Sequence, residues 1–433
     1  MTTPSVRFNG IGWALNSDAL GTRCVAPSNP VLASETSTSV EIRSAVDADW
    51  PAIQRLDATS FGRFGHPESL DAWRSLMPVD GTVLACDGDD IVGMAHYLDM
   101  QLTLPGGAVL PMAGVTIVGV APTHRRRGIL RAMYIELHNR IADAGYPIAG
   151  LTASEGGIYG RFGYGPATIE QAFTVDRRFA QFRSDAPDPG GVRIVNAADH
   201  RGDLEEIYDR WRRRTPGGLV RPAALWDDLL ADREWVRRGG TELYTFLHPD
   251  GYVMYRVYGD DPMNVRMWEF VAATSDAGIA LCRALLGLDL MEKIVVFTYP
   301  GDPLPYLLTD HRVARLTHHE DDLWLRIMDI PTTLEARSYQ ADVSAVIDIA
   351  DGFRSDGGRF AFEVHDGKAR CTPTSAPADV SMGLDVLGSL YLGAHKASSF
   401  ASANRLHASE RGLIARLDSA FVSDVPAVLG YGF

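Results

Sequence analysis

The sequence predicts a multidomain protein that mixes α/β and α+β units, and three observations carry that prediction. At 433 residues the chain is too long for one ordinary core, so roughly two to three domains are expected. From about Val40 to Thr152 a β-rich stretch runs into a strand, a basic turn, an amphipathic helix and another strand, the order of a β-α-β crossover. Two breaks divide the remainder: a polar, Pro/Gly-rich segment over 184–191 and a change of pattern near Leu323.

Residues 1–38 lack periodicity and carry scattered Ser, Thr, Pro and Asn, so they are expected to form a flexible N-terminal extension. No apolar h-region of a signal peptide is present there, because Asn16, Ser17 and Asp18 interrupt it. A first domain is expected over 39–183. Alternation over 40–44 gives a strand, followed by a helix that starts near Trp50, with Asp49 as its N-cap and Pro51 in the first turn. Short apolar runs over 82–86, 91–97 and 101–104 predict successive antiparallel strands, and 114–120 a central one. Leu130, Met133, Tyr134, Leu137 and Ile141 fall at helical spacing up to Gly145, and 147–152 returns as a parallel strand.

A second domain is expected over 184–321. Helices near 204–213, 222–232 and 275–286 alternate there with strands at 252–257 and 293–297. This order partly repeats the first domain, yet no second basic glycine turn accompanies it. A catalytically silent duplicate is the expectation. His318, His319, Glu320, Asp321 and Asp322 superficially suggest a metal site, but adjacent histidines rarely point the same way and a solvated turn is expected. A third, α+β domain is expected over 322–433, with a hairpin turn at His365-Asp366-Gly367 and helices at 384–391 and 413–421.

Composition narrows the function classes. A hydrophobic share of 46% with 22% charged residues is that of a soluble globular protein, and no run approaches the roughly 18 apolar residues of a membrane span. A net charge of -14 argues against a general nucleic-acid binder, which needs a broad basic surface. Cys24, Cys86, Cys282 and Cys371 sit far apart without metal-ligand or redox spacing, as in a cytoplasmic protein with reduced thiols. No metal is expected. The pair Gly163-x-Gly165 is followed by Pro166 and Ala167 and is no dinucleotide fingerprint.

The chemistry is concentrated in Arg125-x-x-Gly128-x-Leu130 and, some thirty residues on, Tyr159-x-x-x-Gly163-Tyr164. A basic turn between a buried strand and a helix N-terminus suits a phosphate, because unpaired N–H groups and the positive dipole end converge on the anion. The first pattern resembles the coenzyme A pyrophosphate loop of the GNAT superfamily of N-acetyltransferases, with Leu130 where Gly or Ala is usual. The second resembles that superfamily's signature tyrosine beside the thioester. Segments 125–131, 153–167, 174–179 and 388–395 together resemble the Enhanced intracellular survival (Eis) family of mycobacterial acetyltransferases.

The resemblance, which runs from about Val40 to Phe433, implies two tandem GNAT-like domains, a sterol carrier protein-like third domain and a homohexamer. It implies transfer of acetyl groups from acetyl-CoA to several amines of an aminoglycoside, and also to protein lysines. A lipid-binding carrier with a secondary acetyltransferase site is the reading from another class. By position, Val118, Gly119 and Val120 would contact acetyl-CoA through the main chain. Arg126, Arg127, Gly128, Ile129, Leu130 and Arg131 would cradle the pyrophosphate, and Ser154 and Glu155 would flank the pantetheine and acetyl end. Tyr159 matches the family's general acid, and Phe433 the residue whose α-carboxylate serves as general base. Phe61, Phe64 and Trp73 are candidates to line the acceptor cleft, where some relatives carry acidic residues in place of Arg63 and Gly432.

Both catalytic roles follow from the reaction. An alkyl ammonium of pKa ~10.4 must lose a proton before it attacks a thioester, and the departing thiolate must gain one. A carboxylate of pKa ~3.5 becomes a better base when burial raises it, and a phenol of pKa ~10 can donate. The scattered cysteines offer no nucleophile-base pair, which agrees with direct attack in a ternary complex.

Overall fold

The computed structural model describes residues 40–62, 65–78 and 80–433. The expected N-terminal extension over 1–38, Cys24, Arg63 and the candidate Phe64 lie outside the described residues. The first seven strands are β1 (Glu41–Ser44), β2 (Thr82–Asp87), β3 (Asp90–Thr103), β4 (Val109–Val120), β5 (Ile148–Thr152), β6 (Gly165–Pro166) and β7 (Ile169–Asp176). The next seven are β8 (Arg193–Val195), β9 (Tyr244–His248), β10 (Gly251–Tyr258), β11 (Met263–Ala272), β12 (Met291–Thr298), β13 (Ala314–Asp321) and β14 (Leu323–Ile327). Helices α1 (Trp50–Phe61), α2 (Pro67–Arg74) and α3 (Ile129–Asp143) belong to the first unit.

These strands form two seven-stranded sheets, ordered β1-β2-β3-β4-β5-β14-β6 and β13-β7-β12-β11-β10-β9-β8. The sheets do not respect limits at 183/184 and 321/322. β7 leaves the first unit to pair with β12 and β13, and β14 returns to pair antiparallel with β5, Leu323 opposite Thr152. Period-two patterning says which face of a strand is apolar, not which sheet the strand joins.

Elsewhere most elements follow the patterning. Helix α3 buries Ile129, Met133, Tyr134, Leu137, His138 and Ile141 against the first sheet, at about 1.5–3 kcal/mol for each large apolar side chain. The second sheet repeats the plan: β11 and β12 pair in parallel across the helix Ser275–Leu286. The third unit is a five-stranded sheet over 343–408 with flanking helices. Its hairpin turn places Asp366 at φ 49° and Gly367 at φ 75°, the two positive values of a type I′ turn.

Three expectations are corrected. The runs 91–97 and 101–104 are one strand, β3, because exposed Asp99 breaks the apolar pattern without breaking the ladder to Ala113. Asp49 precedes α1 but makes no side-chain cap; its carboxylate accepts from Arg43 at 2.7 Å and from the Val46 amide at 2.8 Å. Residues His318–Asp321 are not a turn but part of β13, at the sheet's edge on β7. Leu316 there is exposed, so the apolar alternation that marks a strand is weak.

Candidate active site

Strands β4 and β5 pair only from Met112 and Ile148 to Gly114 and Gly150. Beyond that point the two strands diverge. A bulge drives the divergence: the β3–β4 register slips between Met94 and His96, and Ile117 takes φ 49°. An inserted residue bends its strand and turns main-chain groups away from the ladder. Val118, Gly119 and Val120 lie just past the bulge, at the open end of the fork.

The turn that follows presents its charges outward. Arg125, Arg126 and Arg127 are exposed, Arg126 has φ 65° and Gly128 has φ 79°. Helix α3 starts at Ile129 without a side-chain cap, and its first internal hydrogen bond runs from the Ala132 amide to the Gly128 carbonyl. The amides of 129–131 therefore remain available to an anion. In the second domain the helix Ser275–Leu286 is capped by Thr274, which accepts from the Ala277 amide at 3.3 Å. That helix end is closed by its own cap and carries no arginine in its first turn. Arg131 lies 5.0 Å above the Phe353 ring, so it also braces α3 against the third domain.

Past β5 the loop Ser154–Tyr159 carries the tyrosine. Tyr159 is 7% exposed, and its ring packs among Tyr134 and Tyr164. Burial pushes its phenol up to about 12 against a hydrogen bond from Ser154 that lowers it, while the Glu155 charge raises it further. Such a phenol keeps its proton at neutral pH and has one to give. Behind it, the His138 imidazole meets the Tyr164 hydroxyl at 2.9 Å, and burial holds His138 well below its ordinary value.

The last residue of the sequence reaches the same fork from the other side. Phe433 is 5% exposed and its ring lies against Gly114, where a Cβ would meet it at 3.0 Å and the Met100 sulfur at 2.2 Å. Its main-chain oxygen accepts a hydrogen bond from the Thr152 hydroxyl at 2.9 Å. The preceding tail is strapped to the second domain. The Val428 and Gly430 amides donate to Pro216 and Gly217 at 2.8 and 3.1 Å, and the Tyr431 hydroxyl donates to Val220 at 2.9 Å. Arg221 stacks over Tyr208, Trp226 and Tyr431 while it pairs with Glu269.

Beside this tail a cleft of about 1110 Å³ opens between α2, the second sheet and residues 424–432. Trp73, Trp211, Trp235 and Trp268 line it, with Glu170, Asp228, Asp302, Asp322 and Asp424 among its acids. The Trp73 indole N–H is buried at this wall without a partner.

Comparison with known proteins decides what this architecture is. Residues 41–167 and 217–327 each match the family described as acetyltransferase (GNAT) domain, and 330–430 match the sterol carrier protein domain. The chain is 55% identical over 406 residues to N-acetyltransferase Eis of Mycobacterium tuberculosis, covering 91% of this chain and 100% of that one. It belongs to the Eis family of N-acetyltransferases.

Eis1 of Mycobacterium abscessus, solved by crystallography, superposes with a TM-score of 0.81 at 31% identity over 91% of this chain and all of that one. An uncharacterized N-acetyltransferase of Streptomyces avermitilis is 34% identical over 412 residues, covering 91% of this chain and 100% of that protein. The chain is thus an N-acetyltransferase built from two GNAT domains and a sterol carrier protein-like domain. GNAT enzymes draw the acetyl group from acetyl-CoA.

Within this fold the strand, loop and helix candidates from Val118 to Arg131 follow one another along the fork and the start of α3. Tyr159 follows the loop that leaves β5, and Phe433 lies across the base of the fork. Trp73 lines the cleft, whereas Phe61 ends α1 half-buried and is not among the residues of that wall. Thr152, Arg221 and the Arg326–Asp351 pair went unnoticed in the sequence. No motif marks them, because each matters through a partner 25 to 281 residues away.

Proposed function

We propose that this enzyme transfers acetyl groups from acetyl-CoA to the amines of aminoglycosides, at several positions of one molecule, by direct attack in a ternary complex. The observation that carries the reading is the burial of Phe433 across the fork of β4 and β5, with its main-chain oxygen on Thr152.

Acetyl-CoA supplies the activated acetyl thioester. The amides at the start of α3, with Arg126 and Arg127, hold its pyrophosphate, and the exposed main chain of Val118–Val120 orients the arm along the fork. Ser154 and Glu155 flank its reactive end. The α-carboxylate of Phe433 takes the ammonium proton, and Tyr159 keeps a proton for the departing thiolate. Trp73 and the acids of the cleft suit a bulky polycation: indole faces and carboxylates both attract ammonium groups. Part of that acidity is offset within the cleft by Arg214, Arg221, Arg238 and Arg256, of which Arg221 pairs with Glu269. The same reading includes a homohexamer in the cytoplasm, and sedimentation as a stable monomer would remove the hexamer.

Mass spectrometry of kanamycin after incubation with enzyme and acetyl-CoA tests the acceptor. Addition of more than one acetyl group is expected. Enzyme that binds acetyl-CoA yet leaves kanamycin unmodified would overturn the aminoglycoside reading and direct the search to lysine side chains.

A further inference from the structure

We infer that Thr152 is a positioning residue that fixes the orientation and basicity of the Phe433 carboxylate; this rests on the reading of Phe433 as the base. Three observations support it. First, Thr152 ends β5, two residues past Gly150, the last residue of that strand paired with β4. It therefore stands at the edge of the fork, on the same face of the strand as Gly150. Second, the bond length of 2.9 Å is that of a full hydrogen bond. A carboxylate oxygen can only accept, so the Thr152 hydroxyl donates. Third, the Phe433 ring is fixed separately, against the bare Cα of Gly114.

The two contacts do different things. The ring contact locates the residue, but leaves its carboxylate free to turn about the Cα–C bond. Thr152 removes that freedom. Its β-branched side chain is restricted at χ1, so the hydroxyl direction is set by a strand held between neighbours. On its other side β5 pairs with β14, Thr152 opposite Leu323. The base thus takes its aim from the sheet that forms the fork, although it arrives on the tail of the third domain.

A hydrogen bond donated to the ionised carboxylate stabilises that form and so favours a lower pKa. Loss of the hydroxyl should raise that pKa. Because the base must be ionised to act, the acid limb of kcat/KM then moves to higher pH.

The test compares wild type, Thr152→Val, Thr152→Ser and a chain extended by two residues after Phe433. The readouts are pH profiles with kanamycin and the rate at which carboxypeptidase A releases Phe433. For Thr152→Val the acid limb is expected to rise by roughly one pH unit and kcat to fall about tenfold, with the KM for acetyl-CoA unchanged. Release of Phe433 should quicken about tenfold, and Thr152→Ser, which keeps the donor but not the β-branch, should restore the acid limb and most of the rate and of the resistance to release. Carboxypeptidase release needs no acceptor, so it reads the anchor even if kanamycin is not a substrate. An unshifted limb and unchanged release in Thr152→Val, while the extended chain is inactive, would overturn the role of Thr152 and leave Phe433 as the base. Full activity in the extended chain would overturn both.

Discussion

Arg326 on β14 pairs with Asp351 of the third domain at 2.7 Å, with neither side chain exposed to solvent. The same guanidinium donates to the Phe162 carbonyl at 2.7 Å, three residues after Tyr159. Burial alone raises the Asp351 carboxyl, yet the hydrogen bond and charge of Arg326 hold it below the usual carboxylate range. One cation therefore ties the third domain to the loop that carries the proposed acid. Arg326→Met strands a buried carboxylate and is expected to cost about 3–5 kcal/mol in urea unfolding. Combining Arg326→Met with Asp351→Asn should recover part of that loss. Unchanged stability in the single variant would show that the pair is not buried in solution.

Tyr159→Phe removes one hydroxyl from an aromatic cluster and leaves its packing intact. The expected result is a fall in kcat of about 10²–10⁴-fold with little change in melting temperature. Wild-type turnover would remove Tyr159 from the acid role.

Arg126 takes a left-handed backbone conformation at φ 65° with its side chain exposed. Arg126→Gly keeps a backbone that glycine adopts freely and deletes the cation. The KM for acetyl-CoA is expected to rise about tenfold while stability is unchanged or slightly raised. Equal KM values would place the pyrophosphate elsewhere.

Asp57 faces the core from α1 at 5% exposure, and one of its carboxylate oxygens has no partner. Burial raises its pKa to about 7, against about 3.9 in the unfolded chain. The folded state thus holds this proton more tightly. Its contribution to stability is complete below about pH 4 and is lost as the pH rises through 7. Asp57→Asn should therefore stabilise the protein at pH 8, by on the order of 3 kcal/mol, and have little effect at pH 4. A gain of equal size at both pH values would contradict the assigned burial.

What the sequence revealed followed from local physics. The helix Ile129–Asp143 and the helix Ser275–Leu286 announce themselves by apolar spacing, and Asp366-Gly367 by turn chemistry. The basic turn proposed to hold acetyl-CoA stands out in the sequence because strand, arginines, glycine and helix are contiguous. The exchange of β7 and β14 was not, since pairing partners leave no mark on a strand's own pattern. Thr152 was hidden for a similar reason: its partner stands at the far end of the chain.

The strand exchange also constrains how the enzyme is made. A ribosome that has delivered residues up to Thr152 has delivered the fork, yet β5 still exposes the edge that β14 will cover. That edge stays open through synthesis of the whole second domain, until residues 323–327 emerge. A nascent chain is thereby exposed to mispairing throughout that interval. Separate expression of the first unit without β14 would leave the same edge bare, so truncated versions are expected to depend on chaperones or to aggregate.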